Sequence, residues 1–189
     1  MFAPTWASRP LWTMGTGWLI REDLVVTAGH NVFSYSYGGQ AQRVKCWIGY
    51  KGRQFASAEG VQYRQVLNVV TTDTWCSESS IGSSPESKRQ YDVALLQVSA
   101  PFEGDVNPFG FIDTPTLTGD KTLTVVGYPG DQYITEEGAG KDYGAEMYFH
   151  SAKVPINLDT THGMITYDID TFGGEDLPIW TRLIFIAIW

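Results

Sequence analysis

Short apolar runs separated by turn-forming residues dominate the chain. They cover residues 17–20, 24–28, 44–50, 66–70, 93–98, 123–128 and 164–169. Helical periodicity, in which apolar residues recur three and four positions apart, is weak throughout. Runs of this length, spaced by turns, are typical of an all-β sandwich or barrel and not of alternating strands and helices. The pattern therefore predicts an all-β fold.

Turn and loop signals divide the predicted strands into two groups. The segments at residues 34–42, 77–90 and 130–143 have the Gly, Ser and charged composition of loops. Residues 101–115 combine prolines with glycines, and we predict that they carry the chain from one half to the other. We place the division between the two halves in this segment.

The apolar run at residues 183–189, LIFIAIW, consists of strand-forming residues and predicts a further strand. It is too short to span a bilayer, since a membrane helix takes about 20 apolar residues. We expect the strand in the second half of the chain, where no turn and partner strand follow it. Its edge would then be unpaired, and an unpaired apolar edge promotes aggregation.

Composition and charge narrow the class of protein. Of the 189 residues, 43% are hydrophobic and 18% are charged, which fits one domain with a sizeable core. Lys and Arg number 13 and Asp and Glu number 21, so the net charge is −8. A nucleic-acid binder needs a basic face, and this sequence has none. We therefore exclude nucleic acid as a partner.

The cysteines and histidines do not have the spacing of a metal site. Cys46 and Cys76 are far apart, and no CxxC pair lies near them. His30, His150 and His162 are scattered outside any HExxH motif. We predict no metal and no cofactor. The cysteines are either two buried thiols, which is the interpretation we favour, or a disulfide.

Four segments carry the residues with candidate chemistry. His30 ends GTGWLIREDLVVTAGH, in which two predicted strands are joined by a charged turn. Asp92 immediately precedes the apolar strand in YDVALLQV. The other two segments are GYPGD, from residue 127, and DIDTFGGEDLPIW, from residue 168. Taken singly, a His after a strand or an Asp before one is more often a capping or surface residue than a catalyst.

The order of the four segments resembles that of the chymotrypsin-like serine proteases, in particular the branch that contains the glutamyl endopeptidases. That family carries G-[ST]-G-[WF]-L-I followed by T-A-[AG]-H, then D-[VI]-A-L-L, G-Y-P-G and T-x-G-G-x-S-G-x-P. The chain matches these motifs in order, at residues 15–20, 27–30, 92–96, 127–130 and 171–174. The resemblance thus covers almost the whole chain.

A trypsin-like fold of two antiparallel, six-stranded β-barrels is what the resemblance implies. We expect a single domain at residues 11–189. The first barrel would occupy residues 11–100. The second barrel, at residues 115–189, would be incomplete, because its C-terminal strands are missing from the sequence.

The resemblance also assigns roles to individual residues. His30 would be the general base and later the general acid, and Asp92 would hold its imidazole in the required tautomer. Gly174 would donate a backbone N–H to the oxyanion hole, where a missing donor typically costs about 10²–10³ in turnover. Thr171 would line the primary specificity pocket. The pocket histidine of the glutamyl endopeptidases belongs to a later motif that this sequence does not contain.

The nucleophile segment departs from the family pattern. Where the family has G-G-x-S-G-x-P, the chain reads GGEDLP at residues 173–178, which is one residue short and has no serine. Asp176 lies nearest the serine position, and the last serine of the sequence is Ser151. A carboxylate is a poor nucleophile toward a peptide carbonyl, and loss of a triad serine costs about 10⁶ in turnover. We therefore predict a serine endopeptidase by family that is inactive or severely impaired.

Three explanations of the altered segment stay open. The first is an error in the gene model or sequence at residues 175–177 and at its end. The second is a copy of a protease gene that has lost its function. The third is a maintained non-catalytic module that binds peptides or proteins. A β-rich carbohydrate-binding domain is a weaker alternative, suggested by 7 Trp and 10 Tyr. Aromatic residues this abundant more often fill a core.

The remaining expectations follow from the same resemblance. The substrate would be a peptide or a protein, the chain would be a monomer if complete, and a membrane would not be a partner. The family resemblance implies an extracellular location. The first residues, MFAPTWASRPLW, nevertheless lack the basic start and unbroken apolar stretch of a secretory signal.

Overall fold

The computed structural model describes residues 13–35, 38–52, 55–77, 88–110, 119–128, 147–159, 164–166, 169 and 184–188. Their regular structure is almost all strand, apart from helix α1 (Asp73–Cys76), a 3-10 turn at Gly29–Asn31 and the helical residues 88–89. The strands are β1 (Thr13–Arg21), β2 (Leu24–Thr27), β3 (Phe33–Ser34), β4 (Gly39–Gln40), β5 (Val44–Ile48), β6 (Gln62–Thr71), β7 (Ala94–Val98), β8 (Gly119–Gly127), β9 (Tyr148–Asp159), β10 (Met164–Thr166) and β11 (Ile184–Ile188). The all-β prediction is confirmed. No helix within these residues is long and apolar enough to cross a membrane.

Six of these strands close into an antiparallel barrel in the order β1-β11-β5-β6-β7-β2. Two of them change register along their length, β1 between Leu19 and Arg21 and β6 between Val66 and Asn68. Such irregularities bend and twist a strand, which helps a sheet curl back on itself. Because the barrel is closed, each of its six strands has a hydrogen-bonded neighbour on both sides.

Alternate side chains from facing strands fill the inside of the barrel. Every second residue of β7 is buried, and β5 begins with the same alternation. A period of two is what a strand with one buried face requires. The buried members of this core are Leu19, Val25, Val32, Val44, Cys46, Ala94, Leu96, Val98 and Phe102.

Strand β11 lies near the end of the sequence but closes the first barrel, and it does not join the sheet formed by β8, β9 and β10. It pairs antiparallel with β1 on one side, where Phe185 lies opposite Thr16, and with β5 on the other, where Ile186 lies opposite Cys46. Both of its edges are therefore paired, so the predicted unpaired edge is wrong. The expectation that residues 115–189 share a second barrel is likewise corrected for residues 184–188. The other domain bounds remain predictions.

Three strands of the second half form a separate sheet in the order β10-β9-β8, among the residues described. Strand β9 was not predicted from the sequence. Its alternation is present, with Val154 and Ile156 buried and Lys153 and Pro155 exposed. The charge and the proline of the outer face obscure this pattern in the sequence.

The end of β8 is attached to the outside of the barrel. The backbone N–H of Tyr128 donates to Thr16 Oγ1 on β1 at 3.0 Å. The Tyr128 side chain is buried, and partly buried hydrophobic residues pack around it, namely Met14, Trp47, Tyr50 and Val126. This burial raises the pKa of Tyr128 to about 12. The contact fixes the end of β8 against β1, the strand that precedes β2 and His30.

Truncation of Leu96 tests the position of the core. Leu96 is fully buried in β7, so Leu96→Ala should lower the free energy of unfolding by about 2–5 kcal/mol, through lost burial and the cavity left behind. Leu67→Ala is the matched control, because Leu67 on β6 is 65% exposed and its loss should cost under about 0.5 kcal/mol. Urea denaturation measures both, and equal costs would contradict the assignment of the core.

Candidate active site

His30 and Asp92 lie at adjacent ends of two paired strands. Strand β2 ends at Thr27 and leads into the 3-10 turn that carries His30, while Asp92 comes shortly before β7 begins at Ala94. The two strands are antiparallel, with Thr27 opposite Ala94. The chain leaving β2 and the chain entering β7 therefore meet at one end of the barrel, although 62 positions separate His30 from Asp92.

The carboxylate of Asp92 binds His30 through both of its oxygens. The backbone N–H of His30 donates to Oδ1 at 2.7 Å, and the ring nitrogen Nδ1 lies 2.7 Å from Oδ2. An ionised carboxylate can only accept, so Nδ1 carries a proton in this contact. In the neutral ring, Nε2 is then the atom whose lone pair can take up a proton. The amide contact holds the carboxylate beside His30, and the ring contact sets the tautomer of the imidazole.

The two side chains differ in their access to solvent. The Asp92 side chain is 14% exposed, whereas the His30 side chain is 44% exposed. A carboxylate withdrawn from water needs hydrogen bonds in place of hydration, and His30 supplies two. A general base must in turn reach its substrate. This asymmetry suits a base that faces the substrate and a carboxylate that orients it from behind.

A line of hydrogen bonds holds the turn below His30. Asn31 Nδ2 donates to Thr27 Oγ1 at 2.8 Å, and Thr27 Oγ1 donates to the carbonyl oxygen of Thr16 at 2.8 Å. Thr16 also accepts the bond from Tyr128, so this line joins the His30 turn to β1 and to the second sheet. Sequence reasoning did not assign this role to Thr27 or Asn31. The available signal was the hydroxyl of Thr27, since a polar group in an apolar strand needs a partner if it is buried.

Three of the predicted site residues lie outside the described residues, namely Gly174, Thr171 and Asp176. Of the predicted site residues, His30 and Asp92 are the two within the described part of the chain, and the structure places them in contact. The oxyanion hole, the specificity pocket and the altered nucleophile segment remain predictions from the sequence.

The thiols of Cys46, in the barrel core, and of Cys76, at the end of α1, are free, and the pKa of each is raised. Cys46 is buried and Cys76 is half-buried, and neither forms a disulfide, so the favoured prediction of two thiols is confirmed, although Cys76 is less buried than expected. Burial raises the pKa of the Cys46 thiol above its ordinary range. Burial, followed by the charge of Asp73, also raises the pKa of Cys76. Within the described part of the chain, no three His, Cys, Asp or Glu side chains are grouped as metal ligands would be.

An antiparallel six-stranded barrel with a His–Asp pair at the end of two paired strands is the arrangement that the predicted resemblance to trypsin-like proteases requires. Comparison with known families agrees, because the family described as Trypsin-like peptidase domain matches residues 15–175. The chain belongs to the trypsin-like peptidase domain family. The predicted resemblance to chymotrypsin-like serine proteases is thereby confirmed.

Among the proteins that are similar to this chain are a bacterial endopeptidase and a mouse serine protease. A glutamyl endopeptidase of Bacillus licheniformis is 28% identical over 160 residues, which is 85% of this chain and 42% of that protein. The chain thus spans about two-fifths of the length of this relative. Among solved structures, neuropsin, a serine protease expressed in the limbic system of mouse brain, aligns with a TM-score of 0.49 and 18% identity. That alignment covers 78% of this chain and 60% of neuropsin.

A methyl group at Gly29 should disturb the packing around the His30–Asp92 contact. A Cβ there would lie 3.0 Å from Trp75 Cδ1, 3.1 Å from Asp92 Oδ1 and 3.1 Å from Thr71 Oγ1, which is tighter than ordinary packing. Gly29→Ala should therefore lower the free energy of unfolding by about 1–3 kcal/mol, as overpacking does. Urea denaturation measures the change.

The control for this prediction is Gly110→Ala. A Cβ at Gly110 would have no heavy atom of the described structure within 4 Å, so this variant should stay within about 0.5 kcal/mol of the unaltered chain. If Gly29→Ala is as stable as Gly110→Ala, the close packing around the His30 turn is not as described.

Proposed function

We propose that the chain is a peptidase-type domain that keeps the general base and its orienting carboxylate but lacks the serine nucleophile, so that it hydrolyses peptide bonds very slowly or not at all. The observation that carries the proposal is the two-point contact between Asp92 and His30. A tethered carboxylate behind an exposed imidazole suits proton transfer at a peptide substrate. The substrate class we propose is accordingly a peptide or protein.

The sequence around Asp176 supports the second part of the proposal. In the family mechanism His30 would take a proton from a serine hydroxyl while the oxygen attacks the peptide carbonyl. The sequence has no serine after Ser151, and Asp176 near the required position offers a weak nucleophile instead. Removing the serine of a triad costs about 10⁶ in turnover, and the remaining site still gives about 10³–10⁴ over water. We therefore expect residual hydrolysis at most.

Peptide binding without cleavage is the second candidate function. It is favoured by the coexistence of an ordered His30–Asp92 pair with a nucleophile segment that has no serine. Binding of a peptide needs a surface of complementary shape with hydrogen-bonding groups, but it needs no nucleophile. A chain with this function would hold peptides and release them unchanged.

We also propose that the domain works outside the cell, as its family resemblance implies. The support for this proposal is the match to the trypsin-like peptidase family and the similarity to a glutamyl endopeptidase. This proposal is independent of whether the domain cleaves peptides.

Restoring the nucleophile segment tests the proposed function. In the repaired variant, Asp176→Ser and Leu177→Gly are combined with one residue inserted before Pro178, which rebuilds G-G-x-S-G-x-P. The substrates are casein and peptides with Glu or Asp before the scissile bond. The unaltered chain should hydrolyse them no faster than its His30→Ala variant does. The repaired variant should hydrolyse at least one of these substrates about 10³-fold faster or more. Peptide release followed by chromatography measures both.

Matched variants separate the parts of this proposal. His30→Ala in the repaired chain should abolish the gained hydrolysis, because the serine then has no base. Hydrolysis by the unaltered chain that disappears in His30→Ala would show that a nucleophile is present after all. A folded repaired variant without activity would instead contradict the proposal that the missing serine is what prevents hydrolysis. Peptide binding by the unaltered chain, measured by fluorescence anisotropy, would support the second candidate.

A further inference from the structure

Two adjacent threonines bind the backbone on either side of Asp92. Thr71 is the last residue of β6, and Thr72 follows it. The hydroxyl of Thr71 donates to the carbonyl oxygen of Val93 at 2.8 Å, and the hydroxyl of Thr72 donates to the carbonyl oxygen of Tyr91 at 2.8 Å. The residues that flank Asp92 are thus both tied to the neighbouring strand by side-chain hydroxyls.

The segment around Asp92 that these hydroxyls bind forms consecutive tight turns. The N–H of Val93 donates to the carbonyl oxygen of Tyr91 at 2.9 Å, which makes a γ-turn centred on Asp92, and the N–H of Asp92 donates to Arg89 at 3.1 Å. The carbonyl oxygen of Tyr91 therefore accepts from Val93 and from Thr72, which uses both of its lone pairs. These turn bonds are local. The two hydroxyls add to the β6–β7 ladder, in which Thr71 lies opposite Ala94, and they fix the turn around Asp92 to the end of β6 and the residue after it.

The same threonines border the turn that carries His30. Thr72 caps helix α1, since its Oγ1 also accepts from the backbone N–H of Trp75 at 3.1 Å. The Trp75 side chain lies against Gly29, next to His30, and so do the hydroxyl of Thr71 and the carboxylate of Asp92. Both partners of the His30–Asp92 contact are therefore placed against one short stretch of chain, from the end of β6 to α1.

We propose that Thr71 and Thr72 are positioning residues that set where the Asp92 carboxylate stands, and through it the amide and the imidazole of His30. Threonine is also common in strands for its branched shape alone. Valine has nearly the same shape without the hydroxyl, so a valine variant separates the hydroxyl from the packing. The inference deepens the proposed function and rests on it for its catalytic meaning, but the geometry can be measured in a chain that cleaves nothing.

The test uses NMR of the whole chain labelled with ¹⁵N. The first readout is hydrogen exchange of the His30 backbone amide, and the second is the ring Nδ1–H resonance of His30, assigned by its loss in His30→Ala. In the Thr71→Val, Thr72→Val double variant, the His30 amide should exchange about tenfold faster or more, as loss of one hydrogen bond implies. The Nδ1–H resonance should broaden beyond detection. The Thr71→Ser, Thr72→Ser double variant keeps both hydroxyls and should retain both signals.

A control of the same chemistry lies in the second sheet. Thr124 Oγ1 on β8 is 2.7 Å from Ser151 Oγ, so Thr124→Val removes a hydroxyl contact that does not involve His30 or Asp92. It should leave the His30 signals unchanged even if the melting temperature falls. Unchanged His30 signals in the valine double variant, or equal changes in Thr124→Val, would overturn the proposal.

Two further outcomes keep the inference separate from the proposed function. If the double valine variant does not fold, the two single valine variants and their serine counterparts make the same comparison. If the repaired nucleophile gives no activity while the His30 signals respond to the threonines, the proposed function fails and the positioning role stands. If the repaired chain is active, and valine at positions 71 and 72 changes neither its activity nor the His30 signals, the proposed function stands and the positioning role fails.

Discussion

The pairing of β2 with β7 is the constraint on which both the core and the candidate site depend. Thr27 lies opposite Ala94, and this register turns Val25 and Leu96 into the barrel. A slip by one residue would move every side chain of one strand to its other face. The same slip would carry His30 away from the segment before β7. Hydrophobic burial therefore selects the register, and the contact between the base and its carboxylate follows from it.

The parts of the molecule that sequence could predict are those with a local signal. Strands such as β7 have a clean period of two, and motif order identified His30 and Asp92 before their geometry was known. Strand β9 was missed because Lys153 and Pro155 break the apolar run, although its inner face alternates normally.

The parts that sequence could not predict depend on distant partners. Thr27 and Thr71 are ordinary strand residues in the sequence, and Thr72 is an ordinary polar residue. Only the fold brings near them the carbonyl oxygens that their hydroxyls bind. A pattern of apolar residues likewise predicts a strand at residues 184–188 but not which strands it joins. Nothing local distinguishes a strand that ends the second half from one that closes the first barrel.

The place of β11 between β1 and β5 has a consequence for how the chain is made. Residues that close the barrel leave the ribosome long after the other five strands, so the nascent barrel waits with two open edges while the second sheet is synthesised. Contacts between such distant segments raise the contact order, which slows folding. The edges of β1 and β5 are therefore the last edges of the barrel to find their partner.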